Sequence, residues 1–413
     1  MAEHPCFLPG MLSVAETCTF LLGQARPVAD MEIVPIEGAL GRVLALPQVS
    51  PIDVPGHDNS AMDGYAVRSQ DIAPDGLTEL AISQRITAGN TGGALAAGQA
   101  ARIFTGAPLP LGADAVIMQE HCRVEGNRVW VHGPAKPQQN VRPQGNDITR
   151  GTEVLAVGTR LRPQELGLAA SVGLATLPVF RRLRIAILSS GDELVSPGKA
   201  LAPGQIYNSN RYTLLGLLSG LGCEVRDFGT VPDDLVASED ALLAAAAETD
   251  VIVTSGGVSV GEEDHIKEAV RRRGRLQLWR IAVKPGKPMA YGGIGDADFL
   301  GLPGNPVSVL VTFCLFVRPF LLRRQGVTEV ERRSYPVKAG FAWRKRGERP
   351  EYLRARLVSD GTGGWQATLF PKQRSDVLTS AVWADGLVEI PQGRTIAAGD
   401  VVAYLPFTEL LTQ

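Results

Sequence analysis

From position 184 the chain alternates between two kinds of text. Short apolar, β-branched runs (RIAILSS, CEVRDFGTV, DVIVTSGG) are separated and followed by NRYTLLGLLSGLG, SEDALLAAAAE and EDHIKEAVRRRG, which space their apolar residues as helices do. No other pattern constrains the fold as much. Continuous apolar strands need cover on both faces, and helical crossovers of about a dozen residues provide it, so the expected form is a doubly wound parallel sheet. The alternation runs on through RLQLWRIAVKP and ADFLGLPG to a helix at NPVSVL, where Asn305 suits the N-cap and Pro306 the first helical position.

In an open sheet of this kind, ligands bind beyond the carboxyl ends of the strands. The loops expected there are unusual. SSGDEL brings Glu193, the PDD after CEVRDFGTV brings Asp233, and SGGVSVGEED brings Gly256, Gly257, Ser259 and Asp264. Each acidic loop alone reads as a turn, or as first-turn acids worth about 0.3–1 kcal/mol against a helix dipole. Three at strand ends point to a cation, because gathered carboxylates repel unless neutralised; Mg²⁺ takes one or two and shares its other positions with phosphate and water. The candidate metal ligands lie among Asp192, Glu193, Asp233, Asp234, Glu262, Glu263 and Asp264. Gly256 and Gly257 leave backbone N–H groups open to a phosphate. The run matches neither GxGxxG nor GxxxxGKS, so it supports neither a nicotinamide enzyme nor a P-loop NTPase.

A second subsite of opposite sign follows. VKPGKP holds Lys284 and Lys287 on a proline-stiffened loop, and GLPGNPVS offers a helix N-terminus with Ser308 in its first turn. Ammonium groups and free N–H groups together suit an oxyanion.

The remaining chain divides by texture. Ser13–Gln24 reads as one helix; residues 32–150 read as short strands and turns; the stretch after Arg324 returns to strands. At about 150 residues per core, a chain of 413 residues holds roughly three. We divide it into an extended unit of 1–50 with 145–180, a β-rich insertion of 51–144, an α/β unit of 181–328 and a C-terminal β unit of 329–413. Val307–Leu322 is apolar but broken by Arg318 and Pro319, which favours a buried helix over a membrane span. With 41 basic and 43 acidic residues the net charge of -2 gives no general attraction to nucleic acid or anionic membrane. Five cysteines without a CxxC pair, and no export-signal pattern, lead us to expect reduced thiols and a cytoplasmic location.

NSAMDGYAVR, IFTGAPLPLGADAVIMQE, SSGDEL, GQIYNSNR, SGGVSVGEEDHIK, KPGKP and GLPGNPVS, in this order and over nearly the whole chain, resemble the molybdopterin molybdenumtransferases, the family that includes the gephyrin E domain. The resemblance implies a multidomain, elongated α/β-plus-β protein, with a doubly wound molybdopterin-binding domain, a β-rich insertion and a small C-terminal β-barrel-like domain. It implies the last step of molybdenum cofactor synthesis: molybdate and adenylylated molybdopterin give molybdenum cofactor and AMP, with Mg²⁺ assisting. It implies catalytic roles for Asp63, Thr105, Arg142, Asp147, Glu193, Asp233 and Asp264, with Glu193, Asp233 and Asp264 as the metal ligands and Pro303 and Pro306 shaping the site. Molybdate handling falls to Lys284, Lys287, Ser308, Arg354 and Ser375. A homodimer sharing its sites between subunits is implied, with a molybdopterin adenylyltransferase and downstream cofactor-maturation proteins as partners. Ser190 stands where the family has threonine, and Asn146 where it has glutamate. Molybdopterin adenylylation, or a non-catalytic molybdopterin-binding scaffold, are the other readings of the same motifs.

Overall fold

The computed structural model describes residues 11–258 and 265–411, so Ser259 and Asp264 lie outside the described residues. Its centre is a six-stranded sheet built from β1 (Arg184–Ser190), β2 (Glu224–Val231), β3 (Val251–Ser255), β4 (Arg275–Trp279), β5 (Ala290–Ile294) and β6 (Ala297–Leu302), in the order β2-β1-β3-β6-β5-β4. The first four in that order are parallel, as the helix-separated runs require. The last two are antiparallel, because β5 and β6 are joined by a tight turn instead of a crossover helix. The sheet is therefore mixed, with an antiparallel edge where the sequence reading had a parallel continuation.

Helices cover both faces. Ser209–Gly220 and the long segment from Pro306 bury Leu214, Leu218, Val307 and Phe316 on one side; Leu235–Glu248 and His265–Arg273 bury Leu242, Ile266 and Val270 on the other. The long segment is helical over Pro306–Thr312, widens into a π-type turn at Phe313–Val317 and resumes at Arg318–Arg324. Pro319 is the reason: it has no N–H for the carbonyl four residues back, that of Leu315. That carbonyl accepts instead from Cys18 Sγ at 3.4 Å and Arg332 Nη1 at 3.3 Å. By length and composition Pro306–Arg324 could cross a membrane, yet 83% of its most apolar window is buried in the protein.

The N-terminal half returns on itself. Met31–Pro35 pairs antiparallel with Thr176–Phe180, and Gln48–Val49 with Glu153–Leu155. Between them lies a second six-stranded sheet, whose strands run from Gly64–Val67 to Arg128–His132. C-terminally, Tyr335–Ala339, Trp365–Leu369, Glu351–Ser359, Gly386–Ile390 and Val401–Pro406 close into a five-stranded barrel.

One ion cluster ties the central sheet to the N-terminal half. Asp250, at the start of β3, accepts from Arg181 Nη1 and Nη2 (2.7 and 2.9 Å) and from Arg184 N and Nη2 (2.8 and 3.0 Å); Arg181 also reaches Asp30. Burial pushes the Asp250 carboxyl up, but the hydrogen bonds from Arg181 and Arg184 outweigh it and hold the group well below the usual carboxylate range. A depressed folded-state value stabilises fully above the unfolded value of about 3.9 and is lost as pH falls through the folded one. Asp250→Asn should therefore cost about 1.5–3 kcal/mol at pH 7, the range for hydrogen bonds to charged groups. Denaturant melts of both proteins should converge as the pH is taken from 5 down toward 2, and a gap constant over that window would refute the charge-based account.

Candidate active site

Where the carboxyl ends of the parallel strands meet the barrel, the protein encloses a cavity of about 1090 Å³. Glu193, Gly256, Lys284, Lys287, Pro303, Pro306, Ser308, Arg354 and Ser375 all line it, so the structure gathers nine of the sequence-derived candidates in one place. They arrive from five loops, one of them running into the long helix, and one barrel strand.

The glycines after β3 have a local reason to be there. Gly256 and Gly257 have φ of 88° and 65°, and a Cβ on Gly256 would sit 2.7 Å from the Ser190 carbonyl oxygen. Close passage against β1 demands glycine, whatever ligand approaches. On that adjoining loop Ser190 Oγ donates to Asp233 Oδ1 at 2.9 Å. Asp192 and Asp233 exchange backbone-to-carboxylate hydrogen bonds at 3.3 and 3.2 Å. Asp233 thus pins the two strand-end loops together, while Glu193 is exposed at the cavity. Among the described residues no group of three or more His, Cys, Asp or Glu is placed to hold a metal. The donor set is still of the right kind for Mg²⁺, which needs only one or two carboxylates and completes its shell from phosphate and water.

The cationic wall is assembled across the sheet and the barrel. Lys284 N donates to Pro350 O (3.0 Å), Tyr352 N donates to Lys284 O (2.8 Å), and Arg349 Nη1 donates to Val283 O (2.9 Å). The barrel segment Arg349–Tyr352 is hydrogen-bonded along the lysine loop as if it were another strand. Val307 N donates to Ser375 O at 3.0 Å, which sets the Ser375 loop against the start of the long helix. Asn305 occupies the N-cap position, as its sequence suggests, but makes no side-chain capping hydrogen bond.

The cavity's cations differ in how free they are. Arg354 is fully buried; its guanidinium donates to Ser380 Oγ, Tyr352 O and Arg374 O (3.1, 3.3 and 3.2 Å), and burial pushes it down to about 10. Arg374 pairs with Asp376 at 3.0 Å, and Lys284 Nζ donates to Glu351 Oε2 at 2.9 Å. Lys287 is exposed and, among the described residues, has no ion-pair or hydrogen-bond partner for its ammonium.

Asp233 and Gly257, beside the lining residues Ser190 and Gly256, are not themselves in the lining, and four further candidates sit elsewhere. Asp63 Oδ1 accepts from Thr105 N and Oγ1, both at 2.8 Å, and these bonds hold its carboxyl below the usual range. Arg142 is on the short strand paired to Asn59, and Asp147 N donates to Val54 O at 3.0 Å. None of Asp63, Thr105, Arg142 and Asp147 lines the cavity of its own chain. Sequence reasoning missed Arg349, Glu351, Asn208 and Asn210, which do line it. The signal for the asparagines was present in GQIYNSNR; for Glu351, which opens the strand EYLRARLVS, no local signal existed.

Comparison with known proteins agrees with this architecture. Residues 12–173 match the model described as "MoeA N-terminal region (domain I and II)", 186–323 that of a "Probable molybdopterin binding domain" and 336–407 the "MoeA C-terminal region (domain IV)". A molybdopterin molybdenumtransferase of Haemophilus influenzae is 39% identical over 97% of this chain and 100% of its own length. One from Nostoc is 38% identical over 78% of this chain and 76% of its own length. The crystal structure of a molybdopterin biosynthesis MoeA protein from Pyrococcus horikoshii superposes with a TM-score of 0.79 at 33% identity, covering 96% of this chain and 99% of that one. By sequence over its whole length and by fold, the chain belongs to the molybdopterin molybdenumtransferase family.

Proposed function

We propose that this chain inserts molybdenum from molybdate into adenylylated molybdopterin, releasing AMP, the last step of molybdenum cofactor synthesis. One observation carries the reading beyond family membership: a single cavity presents an unpaired lysine, a helix N-terminus and a barrel wall together with Glu193 from an acidic strand-end loop. Lys287 and Lys284 supply donors for a tetrahedral oxyanion, and Ser308, 3% exposed in the first helical turn, lies beside them. Pro303 and Pro306 hold the loop that shapes this wall. Ser375 and Arg354 close it from the barrel side.

Glu193, Asp233 and, by sequence position, Asp264 would hold a Mg²⁺ ion, which supplies charge neutralisation for the phosphoanhydride. The chain's own part is to set that acidic rim beside the glycine turn at Gly256 and Gly257, which with Ser259, by sequence position, would receive the adenylate phosphate. If Asp233 serves the cation, Asp233→Asn should fold, lose turnover and need about tenfold more Mg²⁺ for half-maximal rate, the effect of losing roughly 1.4 kcal/mol of binding. An unchanged Mg²⁺ titration would restrict Asp233 to its role as a loop clip.

The working unit is a homodimer in the cytoplasm, with Asp63, Thr105, Arg142 and Asp147 delivered to the cavity of the opposite subunit. Two observations support this. Those residues are absent from the cavity of their own chain. Met31, Ile33, Leu40, Leu46, Val49 and Ile52 leave large apolar side chains exposed within one short stretch, at 46–62% each, which is the surface an isologous contact would cover. A molybdopterin adenylyltransferase would supply the substrate and cofactor-maturation proteins would take the product. The direct test gives the purified chain adenylylated molybdopterin and then molybdate. AMP release that begins on molybdate addition supports insertion, and binding without release at saturating molybdate overturns it.

A further inference from the structure

Glu351 is the most deeply enclosed acid at the cavity. The residue is 3% exposed, opens the barrel strand Glu351–Ser359 and gives one carboxylate oxygen, Oε2, to Lys284 Nζ at 2.9 Å. Its other oxygen, Oε1, is buried without a hydrogen-bond partner. A carboxylate kept out of water with half its acceptors unmet is destabilising by itself, and such groups are retained where they serve a ligand or a neighbouring charge. The backbone fixes it there, since Pro350 O and Tyr352 N, on either side of it, both bond to Lys284. Side chain and main chain therefore hold the same lysine from both directions.

The charges around the cavity say what this does. Arg374 is paired with Asp376 and Lys284 is matched by Glu351, whereas Arg354, buried in bonds to neutral acceptors, Arg349, bonded to the Val283 carbonyl, and the exposed Lys287 have no acidic partner among the described residues. We propose that Glu351 is a positioning residue of the oxyanion subsite: it fixes the Lys284 ammonium against the lysine loop and cancels its charge, so that the net attraction comes from the cations without an acidic partner, Lys287 foremost because its ammonium makes no hydrogen bond among the described residues. Lys284 keeps its remaining N–H groups for the ligand, while the pair as a unit is neutral. The consequence is an oxyanion held by directed hydrogen bonds but not trapped by two full charges. This inference rests on the oxyanion reading of the cavity.

The test is calorimetric titration of the dimer with molybdate alone, on wild type, Glu351→Gln, Lys284→Gln and the double variant. Glutamine keeps an acceptor for the ammonium but removes the negative charge, so Glu351→Gln should bind molybdate about tenfold more tightly. Lys284→Gln leaves a buried carboxylate without its partner, and should both weaken molybdate binding by about tenfold and lower the melting temperature. The double variant is neutral again and should recover most of both losses. A double variant as weak as Lys284→Gln, or a Glu351→Gln protein that binds no more tightly than wild type, would overturn the proposal and leave Glu351 as a structural partner. If Glu351→Gln fails to fold, the comparison of Lys284→Gln with the double variant still decides. Absence of saturable molybdate binding in the wild type would instead bring down the oxyanion reading itself.

Discussion

Mixing an Asp63→Ala chain with a Glu193→Ala chain should restore activity that neither possesses. Each parent is expected to lose on the order of a hundredfold or more in rate, the usual consequence of removing a charged group that acts at the reacting centre. After exchange, half the dimers carry one chain of each kind. If Asp63 serves the cavity of the opposite subunit, each mixed dimer holds one site with both defects and one with neither, so about a quarter of the wild-type rate returns. The distance in the fold makes the outcome informative: Glu193 lines the cavity, whereas Asp63 is engaged with Thr105 on the inserted sheet. No recovery above the parents, with exchange demonstrated by a tagged subunit, would put both residues in one chain's site.

The second large effect concerns Lys287. Replacement by Gln removes the cavity's exposed, unpaired ammonium, and the molybdate concentration for half-maximal rate should rise by ten- to a hundredfold, equivalent to about 1.5–3 kcal/mol. Excess molybdate should then restore the maximal rate. Glu193→Gln should not respond to excess molybdate, because more oxyanion cannot replace a ligand for the cation. A wild-type molybdate midpoint in Lys287→Gln, or equal rescue of Glu193→Gln, would dissolve the division into an oxyanion end and a metal end.

How far this was legible in the sequence depends on which interaction encodes each feature. β1 and β3 could be read because a strand covered on both faces has to be apolar throughout, and Ile185, Ile187, Ile252 and Val253 are buried accordingly. The antiparallel β4 and β5 could not, since hydrogen-bond direction leaves no mark on an apolar run. The two glycines of the turn after β3 were visible, but their meaning was not: the Ser190 carbonyl that excludes a side chain belongs to another strand. Lys284 and Lys287 were found because proline and lysine lie side by side in the text. Glu351 was missed because its partner stands 67 residues away, and nothing local to Glu351 announces it. The π-type turn was half legible, as Pro319 forbids a regular helix, although the groups that satisfy Leu315 come from Cys18 and Arg332.

The strand-like seam between the lysine loop and Arg349–Tyr352 makes pocket occupancy and subdomain adhesion one equilibrium. A ligand touching both walls binds only while they are apposed, so whatever it gains in binding is added to the work of pulling the barrel away from the sheet. At about a hundredfold excess over its dissociation constant that surplus is about 2.7 kcal/mol, comparable to several of the seam's own hydrogen bonds. For a ligand that bridges the two walls, the barrel's grip on the rest of the molecule tightens with occupancy, and the coupling runs through Lys284, which bonds to the barrel by main chain and side chain and lines the cavity.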